Sequence, residues 1–321
     1  MSENRWAAGV DLGGTKIEVG QVDHAGNMLN RLRRKTQVDG GPEAVQREII
    51  SAVHELMSDT GSSPVGIGVG VAGQVEPDTG LVRFAPNLDW HDVALEAELA
   101  DALQLPVVVT NDVRAITWGE WLHGAGQGCD DLICLFIGTG IGGGIVSGGR
   151  MLSGCNNTAG EMGHMTVYLH GPACHCGNRG CLEALAGGWA LARQARDAIL
   201  ADPVAGTAML KLVDDDVDSV TAKVVAQAAH AGDLLAQRLV DEVGETLAAG
   251  LVGLVNALNP CRLILGGGVV DGLPELLEIV DRGVRRYALS AATATLEIVS
   301  PKLQDDAGVI GAAALALRSF E

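Results

Sequence analysis

Residues 6–22 read WAAGVDLGGTKIEVGQV, and residues 132–147 read LICLFIGTGIGGGIVS. In each stretch an apolar run of strand length ends in a glycine-rich turn, and a second run follows it across the turn. The same device used twice, with helical spacing between and after, predicts two α/β domains with a cleft between them. Strands are expected at 6–12, 17–22, 28–35, 65–72, 107–110, 132–137, 145–147 and 262–265. Helices are expected at 42–58, 93–103, 115–122, 184–201, 222–230, 233–258 and 305–319. The acidic run DDDVD at 214–218 reads as a solvated loop.

The bulk numbers fit this picture. A chain of 321 residues, 47% hydrophobic and 19% charged, is long enough for two domains with a large buried core. Aromatics make up 3% of the chain and glycines number 44, which favours small-residue packing and tight turns over stacking platforms. A net charge of −18 opposes binding to a nucleic-acid backbone. It leaves room for ATP, which local backbone amides and magnesium can capture. No apolar run of membrane length is present, and the N-terminus enters a strand without the features of a signal peptide. Neither a nucleic acid nor a membrane is therefore an expected partner. Free thiols suit the reducing cytoplasm, which is the expected location.

Three cysteines fall within eight residues, at Cys174, Cys176 and Cys181, with His164 ten positions upstream. Three thiolates and one imidazole complete a tetrahedral zinc site, and a closed set points to a structural ion. The bland alternative is a turn with ordinary reduced cysteines. The chain has seven cysteines, an odd number, so a disulfide framework is not expected. Cys129, Cys134, Cys155 and Cys261 read as small core residues, and His175 would be a superfluous fifth ligand.

The turn Gly13-Gly14-Thr15-Lys16 directly follows a strand. Its glycines let backbone N–H groups approach phosphate, Thr15 adds a hydroxyl, and Asp11 at the strand end is placed to hold magnesium. Gly138-Thr139-Gly140 opens the second such turn, and Gly266-Gly267-Gly268 follows a third strand. One glycine turn alone would be an ordinary hairpin. Three at strand ends point to a nucleotide. Asn111-Asp112 sits where a buried strand meets a helix. It reads as a helix N-cap, as a general base for phosphoryl transfer, or as both.

Together these residues resemble the ROK family of sugar kinases, within the hexokinase–actin–Hsp70 superfamily, over nearly the whole chain. DLGGTK and GTGIGGG resemble its two phosphate motifs. EMGH followed by CHCGNRGCLE resembles its zinc signature. GVGVAGQV and FAPNLDW resemble its sugar-side segment, LGGGV its adenosine motif, and DDAGVIGAA its closing helix. The resemblance implies two RNase H-like (actin/hexokinase-type) domains, 1–117 and 118–304, with 305–321 returning to complete the first. It implies Asp112 as the base, with Gly73, Asn87, Asn111, Asp112, Glu161, His164 and Glu183 holding the sugar. His164 would bind zinc through one ring nitrogen and face the sugar with the other. Asp11, Gly13, Gly14, Thr15, Lys16, Gly138, Thr139 and Gly140 would serve the phosphates and their magnesium, with Gly267 and Gly268 near adenosine.

The activity implied is ATP-dependent phosphorylation of the 6-hydroxyl of an aldohexose, glucose first, by a homo-oligomer (dimer or tetramer). The same chemistry serves N-acetylmannosamine, N-acetylglucosamine or fructose, and polyphosphate is an alternative donor. The family also contains sugar-sensing repressors with a DNA-binding domain ahead of the first phosphate motif. Ten residues precede Asp11 here, too few for one. A sugar-binding module without catalysis is opposed by Asp112 and both phosphate turns. Many members read NDAN at the base, whereas this chain reads Asn-Asp-Val-Arg, with Arg114 either structural or a change in the electrostatics around the base.

Overall fold

The computed structural model describes residues 5–320. Residues 1–4, the start of the stretch read as leaderless, and Glu321, the end of the expected returning segment, lie outside them. The chain forms two compact units. The first runs to Cys129, takes in Met151–Ala159, and resumes at Pro301; the second is Asp130–Arg150 with Gly160–Ser300.

The first unit is built on β1 (Trp6–Leu12), β2 (Lys16–Asp23), β3 (Met28–Lys35) and β4 (Ile67–Val71). A small antiparallel sheet of β5 (Gln74–Val75), β6 (Val82–Ala85) and β7 (Trp90–Val93) follows, and then β8 (Val107–Asn111). The main sheet has the order β3-β2-β1-β4-β8. Its first two pairings are antiparallel, and β1–β4 and β4–β8 are parallel. The second unit repeats this. Its strands are β9 (Leu132–Ile137), β10 (Ile141–Ser147), β11 (Arg150–Met151), β12 (Arg262–Gly266) and β13 (Glu297–Val299), in the order β11-β10-β9-β12-β13. Again a hairpin opens the sheet, with β9–β12 and β12–β13 parallel. The motif predicted two α/β domains, and their shared topology is the RNase H-like arrangement that the family resemblance implies.

Period-two alternation explains how the first sheet is covered. Trp6, Ala8, Val10 and Leu12 face one layer, packed on Val45, Ile49, Val53 and Leu56 of α1 (Gly41–Thr60) and Leu95 and Leu99 of α2 (Leu95–Leu103). The other face, including Ala7 and Val22, meets the C-terminal helix Ala307–Phe320. That helix is apolar nearly all round because it is buried nearly all round. It lies so close to β4 that a Cβ at Gly68 would sit 1.8 Å from the Ala312 carbonyl oxygen. Gly68→Ala is therefore expected to cost about 3 kcal/mol, the upper end of an overpacking penalty, because a backbone atom cannot rotate away. Gly253→Ala, at an exposed helical glycine with open space around its Cβ, should instead gain about 0.5–1 kcal/mol. Denaturant unfolding of both variants checks the pair.

Most predicted elements appear within two residues. Three differences matter. The stretch expected as a helix from 93 begins at Leu95, because Val93 ends β7. The helix expected at 184–201 is two helices, α4 (Leu182–Ala186) and α5 (Gly188–Ala201). A helix at Glu275–Tyr287 is present where none was expected, although Leu276, Ile279, Val280 and Val284 form its buried stripe. Residues 214–218 are exposed save for the half-buried Val217, as their charge demands. Among the described residues no helix is long and apolar enough to cross a membrane.

Candidate active site

In the first unit the carboxyl ends of β1, β4 and β8 lie side by side, with Asp11 in register with Gly70 and Gly70 with Thr110. Asp112 opens α3 (Asp112–Leu122) directly after β8; that helix runs unbroken through residues 117 and 118 and belongs to the first unit. Asn111 is its N-cap: its Oδ1 accepts from the N–H groups of Val113 at 3.0 Å and Arg114 at 3.2 Å. Its Nδ2 donates to the Gly73 carbonyl at 3.2 Å. The cap reading of Asn111 thus holds, and the cap presents Asp112.

Burial pushes the Asp112 carboxyl above its ordinary value, against hydrogen bonds from its own and the Val113 N–H and from Asn111. Burial likewise pushes Asp11 up to about 6, with the charge of Asp112 adding and that of Lys16 opposing. Two carboxylates thus share one desolvated strand edge.

The Gly13–Lys16 turn is closed by Gly13 N–H to the Lys16 carbonyl at 3.1 Å and fastened by the Thr36 hydroxyl to the Gly13 carbonyl at 2.7 Å. The packing around Gly14 requires a glycine there. A Cβ there would lie 2.6 Å from the Asn87 carbonyl oxygen, so the turn packs on the Pro86–Leu88 segment that presents Asn87. Lys16 points elsewhere: its Nζ donates to Glu18 Oε2 at 3.0 Å, and Arg33 Nε donates to Oε1 at 2.8 Å. Burial pushes Glu18 up, but those partners outweigh it and hold the carboxyl below its ordinary range. With its charge already paired, Lys16→Ala should change nucleotide affinity less than threefold, while Gly14→Val should weaken both nucleotide and sugar binding. Calorimetry with each ligand separately checks this.

Arg114 is buried. Its guanidinium donates to Ser153 Oγ at 2.9 Å and to the Asn157 and Ala159 carbonyls at 3.4 and 3.5 Å. It ties the Met151–Ala159 segment to α3 within the first unit.

In the second unit Gly138, Thr139 and Gly140 form the turn between β9 and β10, closed by Gly138 N–H to the Gly140 carbonyl at 2.9 Å. The N–H groups of Gly188 and Trp189 donate to the Gly138 and Thr139 carbonyls, each at 3.0 Å. Glu183 Oε2 accepts from the Ile141 N–H at 2.9 Å, and a Cβ at Gly140 would come within 2.4 Å of it. Glu183, expected on the sugar, braces the Gly138–Ile141 turn through one carboxylate oxygen. Beside the turn is a cavity of about 460 Å³ lined by Gly138, Thr139, Trp189, Arg196, Lys223 and Gly268, among others. Gly267, next in the chain to the lining residue Gly268, has φ 95° and backs onto Ile137. The size suits a nucleoside. Trp189, Arg196, Thr221 and Lys223 were not anticipated; Trp189 and Arg196 lie on α5, Thr221 and Lys223 at the start of the helix Ala222–His230, and neither stretch alone marks a site.

The thiol cluster forms as the spacing predicts. Ligand atoms of His164, Cys174, Cys176 and Cys181 all lie within 4.8 Å of one another. The Cys176 and Cys181 sulfurs are 3.7 Å apart, and His164 Nδ1 is 3.7 Å from the Cys174 sulfur. A tetrahedron with Zn–S of about 2.3 Å and Zn–N of about 2.0 Å has edges of about 3.5–3.8 Å, so the set fits zinc. Burial, helped by its thiol neighbours, pushes Cys181 up to about 12, a state that a divalent cation would reverse. His164 Nε2 lies 4.0 Å from Glu161 Oε2, so one ring nitrogen faces the thiols and the other a carboxylate. His175 is no ligand; it stacks on Trp189. Two of the four remaining cysteines depart from expectation: Cys155 is exposed and Cys261 half-buried, because both sit outside the strand interiors that hide Cys134.

The expected site residues therefore fall into two sets. Asp11, Gly13, Gly14, Thr15, Lys16, Gly73, Asn87, Asn111 and Asp112 belong to the first unit, and the remainder to the second. Within each unit the structure brings them together.

Known proteins align with the chain from end to end. Residues 7–319 match the family model described as ROK family. A glucokinase from Thermotoga maritima is 38% identical over 308 residues, covering 96% of each chain. The crystal structure of a ROK family glucokinase from Streptomyces griseus in complex with glucose and AMPPNP is 37% identical. It covers 98% of this chain and 99% of its own, with a TM-score of 0.81. A ROK hexokinase from Thermus thermophilus is 34% identical with a TM-score of 0.86, covering 98% of both chains.

Proposed function

The chain belongs to the ROK family, and from that premise we infer that it is an ATP-dependent glucokinase, transferring the γ-phosphoryl group of ATP to the 6-hydroxyl of glucose. The observation that carries the chemistry is Asp112, a desolvated carboxylate at the end of β8 whose cap and helix are fixed by Asn111, with β4 between it and β1, the strand that runs into the Gly13–Lys16 turn.

Phosphoryl transfer demands positioning and charge stabilisation more than covalent chemistry. Asp112 takes the proton of the 6-hydroxyl as that oxygen bonds to the γ-phosphorus and the bond to the β–γ bridging oxygen breaks, releasing ADP. Gly73, Asn87, Asn111, Glu161, His164 and Glu183 hold the other hydroxyls. For Glu183 this requires a carboxylate that also braces the Ile141 N–H. The two turns carry the phosphates, and the cavity beside Gly268 takes the adenosine. Bound magnesium supplies neutralisation of the phosphate charge, and Asp11 is the carboxylate that would face it. The zinc set is closed and serves structure. The reduced thiols favour the cytoplasm, and the assembly is a dimer or tetramer, which light scattering would count.

Coupled ADP release over glucose, mannose, N-acetylmannosamine, N-acetylglucosamine and fructose tests the reading. Glucose should give the highest kcat/KM; turnover of an N-acetyl sugar or fructose above glucose would overturn it, as would activity with polyphosphate alone.

Asp11 adds a pH test. Folded, it keeps its proton up to about pH 6; its ordinary value is 3.8. Its contribution thus favours folding below about pH 4 and is lost as pH rises through 6. Asp11→Asn should raise the Tm at pH 8 but not at pH 4, with a gain on the order of 1–3 kcal/mol. The same variant should weaken magnesium-dependent activity, since a carboxylate ligand must be ionised.

A further inference from the structure

Trp189, the second residue of α5, is where the thiol loop and the nucleotide turn meet. Its N–H holds the Thr139 carbonyl at 3.0 Å. Its indole Nε1 donates to Glu183 Oε1 at 3.4 Å, while the other oxygen of that carboxylate braces Ile141. The ring packs against Cys174, Cys181 and Ala184 and lines the 460 Å³ cavity. His175, between two of the metal-ligand cysteines, stacks on it at 4.3 Å with an interplanar angle of 29°, and the Arg193 guanidinium lies 5.3 Å from its centroid. A zinc tetrahedron does not need this indole, and neither does a glycine turn. The indole joins them.

We propose that Trp189 is a positioning residue that couples metal loading of the 174–181 loop to nucleotide affinity, with His175 as the contact that transmits it. The inference rests on the nucleotide reading of the cavity. The physical chain is short. A metal held by Cys174 and Cys176 fixes the backbone on both sides of His175, and so fixes its ring. The stack and the Glu183 hydrogen bond then hold the indole. Trp189 and Glu183 together set the peptide planes of residues 138–141. When the loop loses its metal, His175 is no longer held on the indole, and the turn loses one of its braces. The whole chain of contacts lies in the second unit, so the effect requires no sugar.

His175 is exposed and not a ligand, which makes it the clean probe. Calorimetry with magnesium–ADP, without sugar, should give His175→Ala a Kd raised roughly three- to tenfold, the range a stacked ring pair is worth, with one zinc per chain retained by elemental analysis. His175→Phe keeps a ring and should restore the affinity. Stripping zinc from the wild type should raise the Kd by a similar factor, and stripping it from Trp189→Leu should add little, because the coupling partner is gone. An unchanged Kd in zinc-loaded His175→Ala, or in stripped wild type, overturns the coupling alone. Failure of the wild type to bind ADP at all overturns both the coupling and the nucleotide reading.

Discussion

Asp112→Asn is expected to lower kcat by ~10²–10⁴-fold while glucose still binds within about threefold of wild type. The two numbers separate because the amide keeps the shape of the carboxylate and its neighbours. Asn111 still caps α3, and its Nδ2 still holds Gly73, so the sugar-side backbone stays in place. Only proton acceptance is lost. The same substitution should leave the protein no less stable and more stable above neutral pH. Burial already penalises the charged form of Asp112, and its charge pushes up Asp11 across β4. Removing it relieves both. A variant that is inactive yet melts higher cannot owe its inactivity to unfolding. A rate loss of ~10³-fold corresponds to about 4 kcal/mol of transition-state stabilisation. Retention of more than about a tenth of wild-type kcat would show that Asp112 is not the base. The acid limb of the kcat/KM profile should lie above the ordinary carboxylate range, since the desolvated group releases its proton late.

What the sequence disclosed follows from how local each signal is. The alternation of residues 6–12 places Val10 and Leu12 in the core and Asp11 on the other face, and β1 forms where expected. The His/Cys cluster was legible because His164 and the three cysteines lie within eighteen residues, closed by turns at Gly177 and Gly180. The sheet at 74–93 was not, because strands of two to four residues carry no period to read. Nor was the break at Gly187. It exists because the N–H groups of Gly188 and Trp189 are spent on the Gly138–Gly140 turn some fifty residues earlier. The cavity residues Arg196 and Lys223 are ordinary helix residues until the fold gathers them. Arg114 was visible as a departure from its family's pattern, but its meaning depended on the Met151–Ala159 segment that only the fold brings to it.

Cys176→Ala is expected to lose the bound zinc and to raise the glucose KM by ~10²-fold, with the fold otherwise intact. Cys176 is exposed, so its thiol supplies a ligand and almost no core packing. Cys181, by contrast, is fully buried, and its loss would mix cavity and ligand effects. The loop is held by Cys174 N–H to the Asn178 carbonyl at 2.8 Å and Gly180 N–H to the Pro172 carbonyl at 2.8 Å. Those bonds keep its outline without metal. They do not orient the His164 ring, whose Nδ1 has its partner in the thiol cluster while Nε2 faces Glu161. On the proposed sugar role of His164, loss of the ion frees that ring before it unfolds a domain, and a misplacement of ~1 Å in such a group costs ~10²-fold. Nucleotide affinity should fall less, by the few-fold that passes through His175 and Trp189. Cys155→Ala, at an exposed thiol of the first unit, is the matched control and should change neither zinc content nor KM. Elemental analysis and a glucose titration decide the matter. A zinc-free Cys176→Ala protein with wild-type KM would reduce the metal loop to a stabilising ornament, and the sugar would then owe nothing to the order of His164.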